Sequence, residues 1–223
     1  MLLQQTWQYI TDPANTFADH SYGYIQLCIV AITIATIIGI VIGIAVVRSP
    51  IMAFVAVNLS GFMRAIPVIA FLAAALPYLG VGFTPSLIAL SILGIPPVLL
   101  NTYTGIRGID PAIIDAARGI GMNGLQIITR IQAPLVMPII AAGVRTSAVQ
   151  IVATATLAAI IGAGGYGEYI VNGLYQFNTA EVLAGAIPVS ILAMIVEILM
   201  SSLQRALTPA GMRLQAANET AKS

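Results

Sequence analysis

The chain has 223 residues, of which 59% are hydrophobic and only 8% charged, with a mean hydropathy of +0.97. A soluble domain carries about 25% charged residues, so this composition describes an all-α integral membrane protein. Nine Lys and Arg against eight Asp and Glu leave no surplus for a nucleic-acid partner. The single cysteine, Cys28, excludes an intramolecular disulfide and a cysteine-rich metal site, and its apolar setting assigns it to helix packing.

Residues 1–23 form a segment with no Lys or Arg, no apolar core of signal-peptide length and no expected cleavage. Trp7, Tyr9, Phe17, Tyr22 and Tyr24 suit it to a membrane surface. Residues 24–47 carry no charge, and a helix needs about 20 residues to cross the hydrocarbon core, so the first span lies there. Gly39 and Gly43 within it allow close helix contact. Two crossings do not fit into residues 51–79. The spacing instead predicts a surface elbow over 51–59 and a second span over 60–79, with Arg64 one turn inside its cytoplasmic end. A third span over 86–105 holds Gly94, Pro96 and Pro97, which predict a kink facing protein or a cavity. A fourth fits 135–161 and a fifth 182–203, followed by a tail over 206–223.

Basic residues in the loops set the orientation. Arg48, then Arg107, Arg118 and Arg130, then Arg205, Arg213 and Lys222 fall on one side, whereas the opposite loops hold Asp12, Asp19, Glu168 and Glu181 and no Lys or Arg. This count places the N-terminus outside, the C-terminus in the cytoplasm and loop 106–134 in the cytoplasm between spans three and four.

That loop carries the most local information. Asp110 followed by Pro111 is a helix start, and Gly119 and Gly121 are stops. Asn123 with Gln126 three residues on has capping-box spacing, and Pro134 closes the segment. Small Ala116, Ala117, Gly119 and Gly121 beside apolar Ile120, Met122 and Leu125 permit docking into a groove of another protein. On composition alone, a loop packed back on its own bundle stands level with that reading.

The segment Asp115-Ala116-Ala117, three residues, Gly121, nine residues, Ile131 and then Pro134 resembles the EAA loop of ABC importer permeases, with Asp115 in place of Glu and Ala133 in place of Leu. Further likeness runs through Arg64-Ala65-Ile66-Pro67, Asn101-Thr102-Tyr103-Thr104-Gly105, Gly143-Val144-Arg145-Thr146, Gly162-Ala163-Gly164-Gly165-Tyr166-Gly167 and Ala184-Gly185-Ala186-Ile187-Pro188. These elements are similar to the glycine betaine, carnitine and choline branch of those permeases. The resemblance implies a MetI-like five-span bundle in the bacterial inner membrane and uptake of quaternary-ammonium osmoprotectants. It also implies coupling through Asp115, Ala116, Ala117, Arg118, Gly121, Arg130, Ile131 and Pro134 to a dimer of ATPase subunits that carry the ATP and Mg. An extracytoplasmic binding protein and a second permease copy or paralogue complete the implied partners. Methionine or ergothioneine cargo, or an ATPase-independent channel or scaffold, stay open as alternatives.

No Gly-Lys-Ser or Gly-Lys-Thr follows the glycine-rich stretch, and the chain has no Walker motif, so no nucleotide or other cofactor is expected on it. Gly162, Gly164, Gly165, Tyr166 and Gly167 instead read as an external turn within reach of a binding protein. Arg64, Arg145 and Glu197 fall inside the expected spans, where each needs a partner. Arg145 and Glu197 lie at comparable depths, so they fit a structural or gating ion pair. Tyr78, Phe83, Tyr166, Tyr169, Tyr175 and Phe177 read as an interfacial belt rather than a cation cage. By side-chain type, Asn101, Thr102, Thr146, Gln150, Thr154 and Thr156 are candidates for a weak substrate path.

Overall fold

In the computed structural model, which describes residues 2–209, the chain is helical from end to end, with no strand among the described residues. A short amphipathic helix α1 (Leu2–Thr11) leads through a 3₁₀ turn (Pro13–Asn15) into α2 (Phe17–Val46). Helices α3 (Pro50–Ala65) and α4 (Val68–Leu79) follow, then α5 (Phe83–Arg107). The loop helices are α6 (Pro111–Gly119) and α7 (Gly124–Ile127). A π-helical turn (Ile128–Gln132) joins α7 to α8 (Ala133–Thr154), which tightens into a 3₁₀ stretch (Ala155–Ile161). Helices α9 (Tyr166–Tyr175) and α10 (Thr179–Leu207) complete the chain. Arg213 and Lys222 lie outside the described residues, as does all but the start of the expected tail.

Four helical stretches are long and apolar enough to cross a membrane: Pro13–Val46, Phe83–Arg107, Gly124–Ile161 and Thr179–Leu207. The bent pair α3 and α4 makes a fifth if it counts as one span. Here the structure corrects the sequence expectation. The break in residues 51–79 lies at Ile66–Pro67 with a 95° bend, not at 59–60. Pro67 has no N–H to donate and pushes the preceding residue out of the helical region, and Ile66 is extended at φ −74°, ψ 122°. Ser49 starts α3 by accepting from Met52 N–H, with Pro50 in the first helical position. Arg64 is exposed in the last turn of α3, just before the bend. Helix α4, at 12 residues, is only about 18 Å long.

The bundle is held by close approach of α2, α5 and α8. A Cβ on Gly39 would stand 2.6 Å from Val98 Cβ, and one on Gly43 the same distance from Thr102 Cβ. The pair of glycines thus brings α2 against α5 within the chain. Gly94 meets Ser147, Ile151 and Ala35 in the same way, so three helices converge at one level. Leu93 to Leu99, with Pro96 and Pro97 among them, is largely buried in protein. The helix runs on through both prolines. Ser147 Oγ donates to Gly94 O at 2.8 Å and Asn101 Nδ2 to Pro97 O at 2.8 Å, so side chains serve the carbonyls of this stretch. Cys28 is buried in the core formed with Tyr24, Ala31, Ala35, Leu90 and Ile151. Helix α1 lies along α10, where Trp7 and Ile10 share an apolar cleft with Ile187 and Ile191.

Candidate functional site

Three places carry the side chains of interest. The first is the loop between α5 and α8. Asp110 Oδ1 accepts from Ala112 N–H at 2.9 Å and starts α6, with Pro111 at the first helical position. Gly121, at φ +82°, ends it: Met122 N–H reaches back to Ala117 O at 3.1 Å, the six-to-one bond of a glycine C-cap. Asn123 and Gln126 then close a reciprocal capping box, each side chain accepting from the other's N–H at 2.9 Å. Every turn of the loop is fixed by local bonds.

Its side chains nevertheless point away from the chain. Asp115 and Arg118 pair at 3.5 Å on an exposed face. Such a surface pair contributes at most about 1 kcal/mol. Ile120 is 80% exposed and Leu125 71%, while Ala116, Gly121 and Arg130 are also exposed. Only Ala117 and Ile127 are buried, and Ile131 and Pro134 are half-buried where the loop enters α8. A rigid apolar knob flanked by one acid and one base has the form of a docking element.

The second place is a polar groove of about 470 Å³ between α8 and α10. Arg145 Nε donates to Glu197 Oε2 at 2.9 Å, its Nη2 donates to Glu197 Oε1, and its Nη1 reaches Gln204 Oε1 at 3.4 Å. Thr146 and Gln150 line the same groove. The other path candidates separate from it. Thr102 is fully buried between α5 and α2 and donates to Val98 O, and Asn101 lies against Gly143. Thr154 and Thr156 donate to carbonyls of their own helical turns, toward the opposite end. Gln204 was not among the sequence candidates, although it lies two helical turns after Glu197, which puts it on the same face.

The third place is a cap at the end of the bundle opposite the loop. Gly162, Gly164 and Gly165 have φ of +74°, +75° and +78°, a backbone path open to glycine. Gly165 abuts the Tyr24 ring, and a Cβ on Gly167 would fall 2.0 Å from Thr156 O, so α9 seats directly on the 3₁₀ stretch. Tyr166 and Tyr169 are buried in a ring cluster with Tyr9, Phe17, His20 and Tyr24. They are therefore core residues, whereas Tyr78, Tyr175 and Phe177 stay exposed. Tyr24 Oη donates to Val152 O at 2.5 Å and Tyr169 Oη to Asn15 O at 2.6 Å. Gly165 N–H donates to His20 Nδ1 at 3.1 Å, with Glu168 3.4 Å from the same nitrogen. Burial, and then the Glu168 carboxylate, push the Tyr169 hydroxyl up to about 12. Burial and the carboxylate of buried Glu181 hold Tyr9 above its ordinary value too. His20 and Asn15 were missed in the sequence; a lone histidine next to tyrosines is the only trace they leave there.

A helical bundle of membrane-crossing length, with an exposed capped loop at one end and a closed cap at the other, has the architecture of a multi-span membrane protein. The chain belongs to the family of binding-protein-dependent transport system inner membrane components, which it matches over residues 22–210. It is 40% identical to the carnitine transport permease protein OpuCB of Listeria monocytogenes, over 95% of this chain and 90% of that protein. It is 35% identical to the choline transport system permease protein OpuBB of Bacillus subtilis, over 92% of this chain and 95% of that one. Among solved structures, a chain of the MetNI methionine ABC transporter in an inward facing conformation superposes with a TM-score of 0.76. That likeness covers 89% of this chain and all of the other at 18% identity, and it concerns the fold.

Proposed function

We propose that this chain is the permease subunit of an ABC importer that takes up quaternary-ammonium osmoprotectants, the class of glycine betaine, carnitine and choline. The observation that carries the cargo reading is the pair of relatives, named for carnitine and choline transport, that align over nine-tenths or more of this chain. A further relative in Bacillus subtilis is named for glycine betaine, carnitine and choline together, at 36% identity.

In this reading the chain crosses the inner membrane five times, the bent α3–α4 pair supplying one crossing, with its N-terminus outside. The distribution of Arg48, Arg107, Arg118 and Arg130 toward one end of the bundle supports that orientation. The α6–α7 loop sits in a cleft of an ATPase subunit, one of a dimer that binds ATP and Mg, and Asp115, Arg118 and Arg130 register it there. Ala116, Ala117 and Gly121 let the two backbones approach, and Ile131 and Pro134 pass the displacement into α8. The exposure of Ile120 and Leu125 on a loop whose backbone is fixed by its own caps supports this. A second permease copy or a paralogue completes the pathway. An external binding protein delivers cargo to the Gly162–Gly167 turn, the cap being the outward end of the bundle. Arg145 and Glu197 act in passage of the solute, whereas Arg64 anchors the elbow at the membrane surface.

The test is ATP-dependent uptake of labelled glycine betaine, carnitine, choline and methionine into proteoliposomes holding this chain with its ATPase and binding protein. Uptake of a quaternary amine is expected, and an Asp115→Arg variant is expected to lose it while keeping the thermal midpoint of the permease. Methionine uptake alone would sink the cargo class, and flux without ATP would sink the mechanism.

A further inference from the structure

The Arg145–Glu197 pair is partly open: the two side chains are 36% and 39% exposed, in a groove lined also by Thr146, Gln150 and Gln204. Arg145 lies about 18 Å along α8 from Ala133, and Glu197 about 15 Å along α10 from Leu207. Both depths fall within the ~30 Å apolar thickness of a bilayer. Charged groups at that depth face protein or a water-filled passage rather than lipid. The pair bridges α8 and α10, as a fastening would, but it is not sealed between them. It opens to the side, with Thr146 and Gln150 beside it and Gln204 below.

We infer that this groove is an exchange site for zwitterionic solutes, in which the carboxylate of the cargo replaces Glu197 on Arg145 while its quaternary ammonium takes Glu197. The inference rests on the cargo class proposed above and deepens it. The guanidinium already donates through two nitrogens to a carboxylate, and a second carboxylate fits the same fork. A quaternary ammonium has no N–H and is held by an anion or an aromatic face. Among the described residues no aromatic ring lines the groove, so Glu197 is the partner this chain offers there. Because Arg145 and Glu197 neutralise each other, the empty groove attracts neither lone cations nor lone anions. A zwitterion swaps each charge onto an equivalent partner and leaves none bare; choline, a cation without a carboxylate, takes Glu197 and strands Arg145. The volume of about 470 Å³ accommodates a small solute with water, and the lack of an aromatic cage keeps the residence short, as a passage requires.

The closing experiment reads occupancy and transport separately in the full complex. In a Thr146→Cys variant, the rate of labelling by a small methanethiosulfonate is measured with no solute, glycine betaine, carnitine or choline. Cys28, the native cysteine, is buried and offers no competing thiol. Glycine betaine and carnitine at several times their dissociation constant are expected to slow labelling by about fivefold, and choline to have little effect. Adding Arg145→Gln should abolish that protection. In uptake assays Arg145→Gln should lower the ratio of glycine betaine to choline transport by about tenfold, the lower end of the scale for one hydrogen bond to a charged group. Equal protection by choline, protection that survives Arg145→Gln, or an equal fall for all cargoes would show the pair to be a fastening only. If the wild-type complex carries glycine betaine but Thr146→Cys is never protected, the site fails while the cargo class stands. If the wild type carries no quaternary amine, the cargo class fails and this site with it.

Discussion

The two ends of the bundle are built on opposite plans. At one end the α6–α7 loop is secured by bonds between residues two to five positions apart, and its large side chains stay exposed. At the other end the cap is secured by bonds spanning 128 to 154 positions and by rings buried against one another. The cap buries its rings inside its own chain, and the loop leaves Ile120 and Leu125 exposed. The same kind of residue therefore means different things in the two places: a substitution in the cap should be read as a change in stability, one in the loop as a change in association.

The comparison is broken most sharply at Gly167. A Cβ there meets the Thr156 carbonyl at 2.0 Å, and backbone on both sides leaves little room to yield. Gly167→Ala is expected to destabilise the permease by about 3 kcal/mol, the upper range for overpacking, as a fall in thermal midpoint by fluorescence-detected gel filtration. An unchanged midpoint would mean that α9 is not seated on the 3₁₀ stretch. A middle-sized effect is expected at Tyr169, whose hydroxyl donates to Asn15 O. Tyr169→Phe removes one largely buried hydrogen bond, about 1 kcal/mol. The sign of the pH dependence follows from the raised tyrosine. Folding favours the protonated hydroxyl, so its contribution is whole below the ordinary value near 10 and is lost as pH rises through about 12. The midpoint of the wild type should fall over that interval more steeply than that of Tyr169→Phe. The smallest stability effect belongs to the loop: Ile120→Ser should shift the midpoint by no more than about 0.5 kcal/mol equivalent, as surface changes do. Retention of the permease by its ATPase in pull-down should nevertheless drop. A large loss of midpoint would mean that the loop packs on its own bundle after all.

Legibility follows the same division. The loop is readable from sequence because its determinants are local: Asp110 before Pro111, Gly121 at a left-handed stop, Asn123 with Gln126. The Arg145–Glu197 contact is readable because helical rise converts positions into depth, and two opposite charges at one depth seek each other. The elbow is misplaced by the same arithmetic. Requiring a full-length second span moves the break to 59–60, whereas proline stereochemistry at Ile66–Pro67 outweighs it and leaves a 12-residue α4. Thr102 has the right side chain for a polar path, but Gly43 draws α2 over it, and no property of Thr102 announces that. The cap is hidden altogether. Nothing near Asn15 or His20 in the chain points to Tyr169 or Gly165, whose proximity is created by the packing of α1, α2 and α9.

One helical run, Gly124–Ile161, threads all three places. It begins in the docking loop, passes Arg145 and Gln150 in the groove, and ends under Gly167 in the cap. At 38 residues it is on the order of 55–60 Å of continuous rod. Its helical pattern changes twice, at the π turn Ile128–Gln132 near the loop and at the 3₁₀ stretch Ala155–Ile161 under the cap. The loop, the groove and the cap thus share one rod, which departs from α-helical geometry only near its two ends.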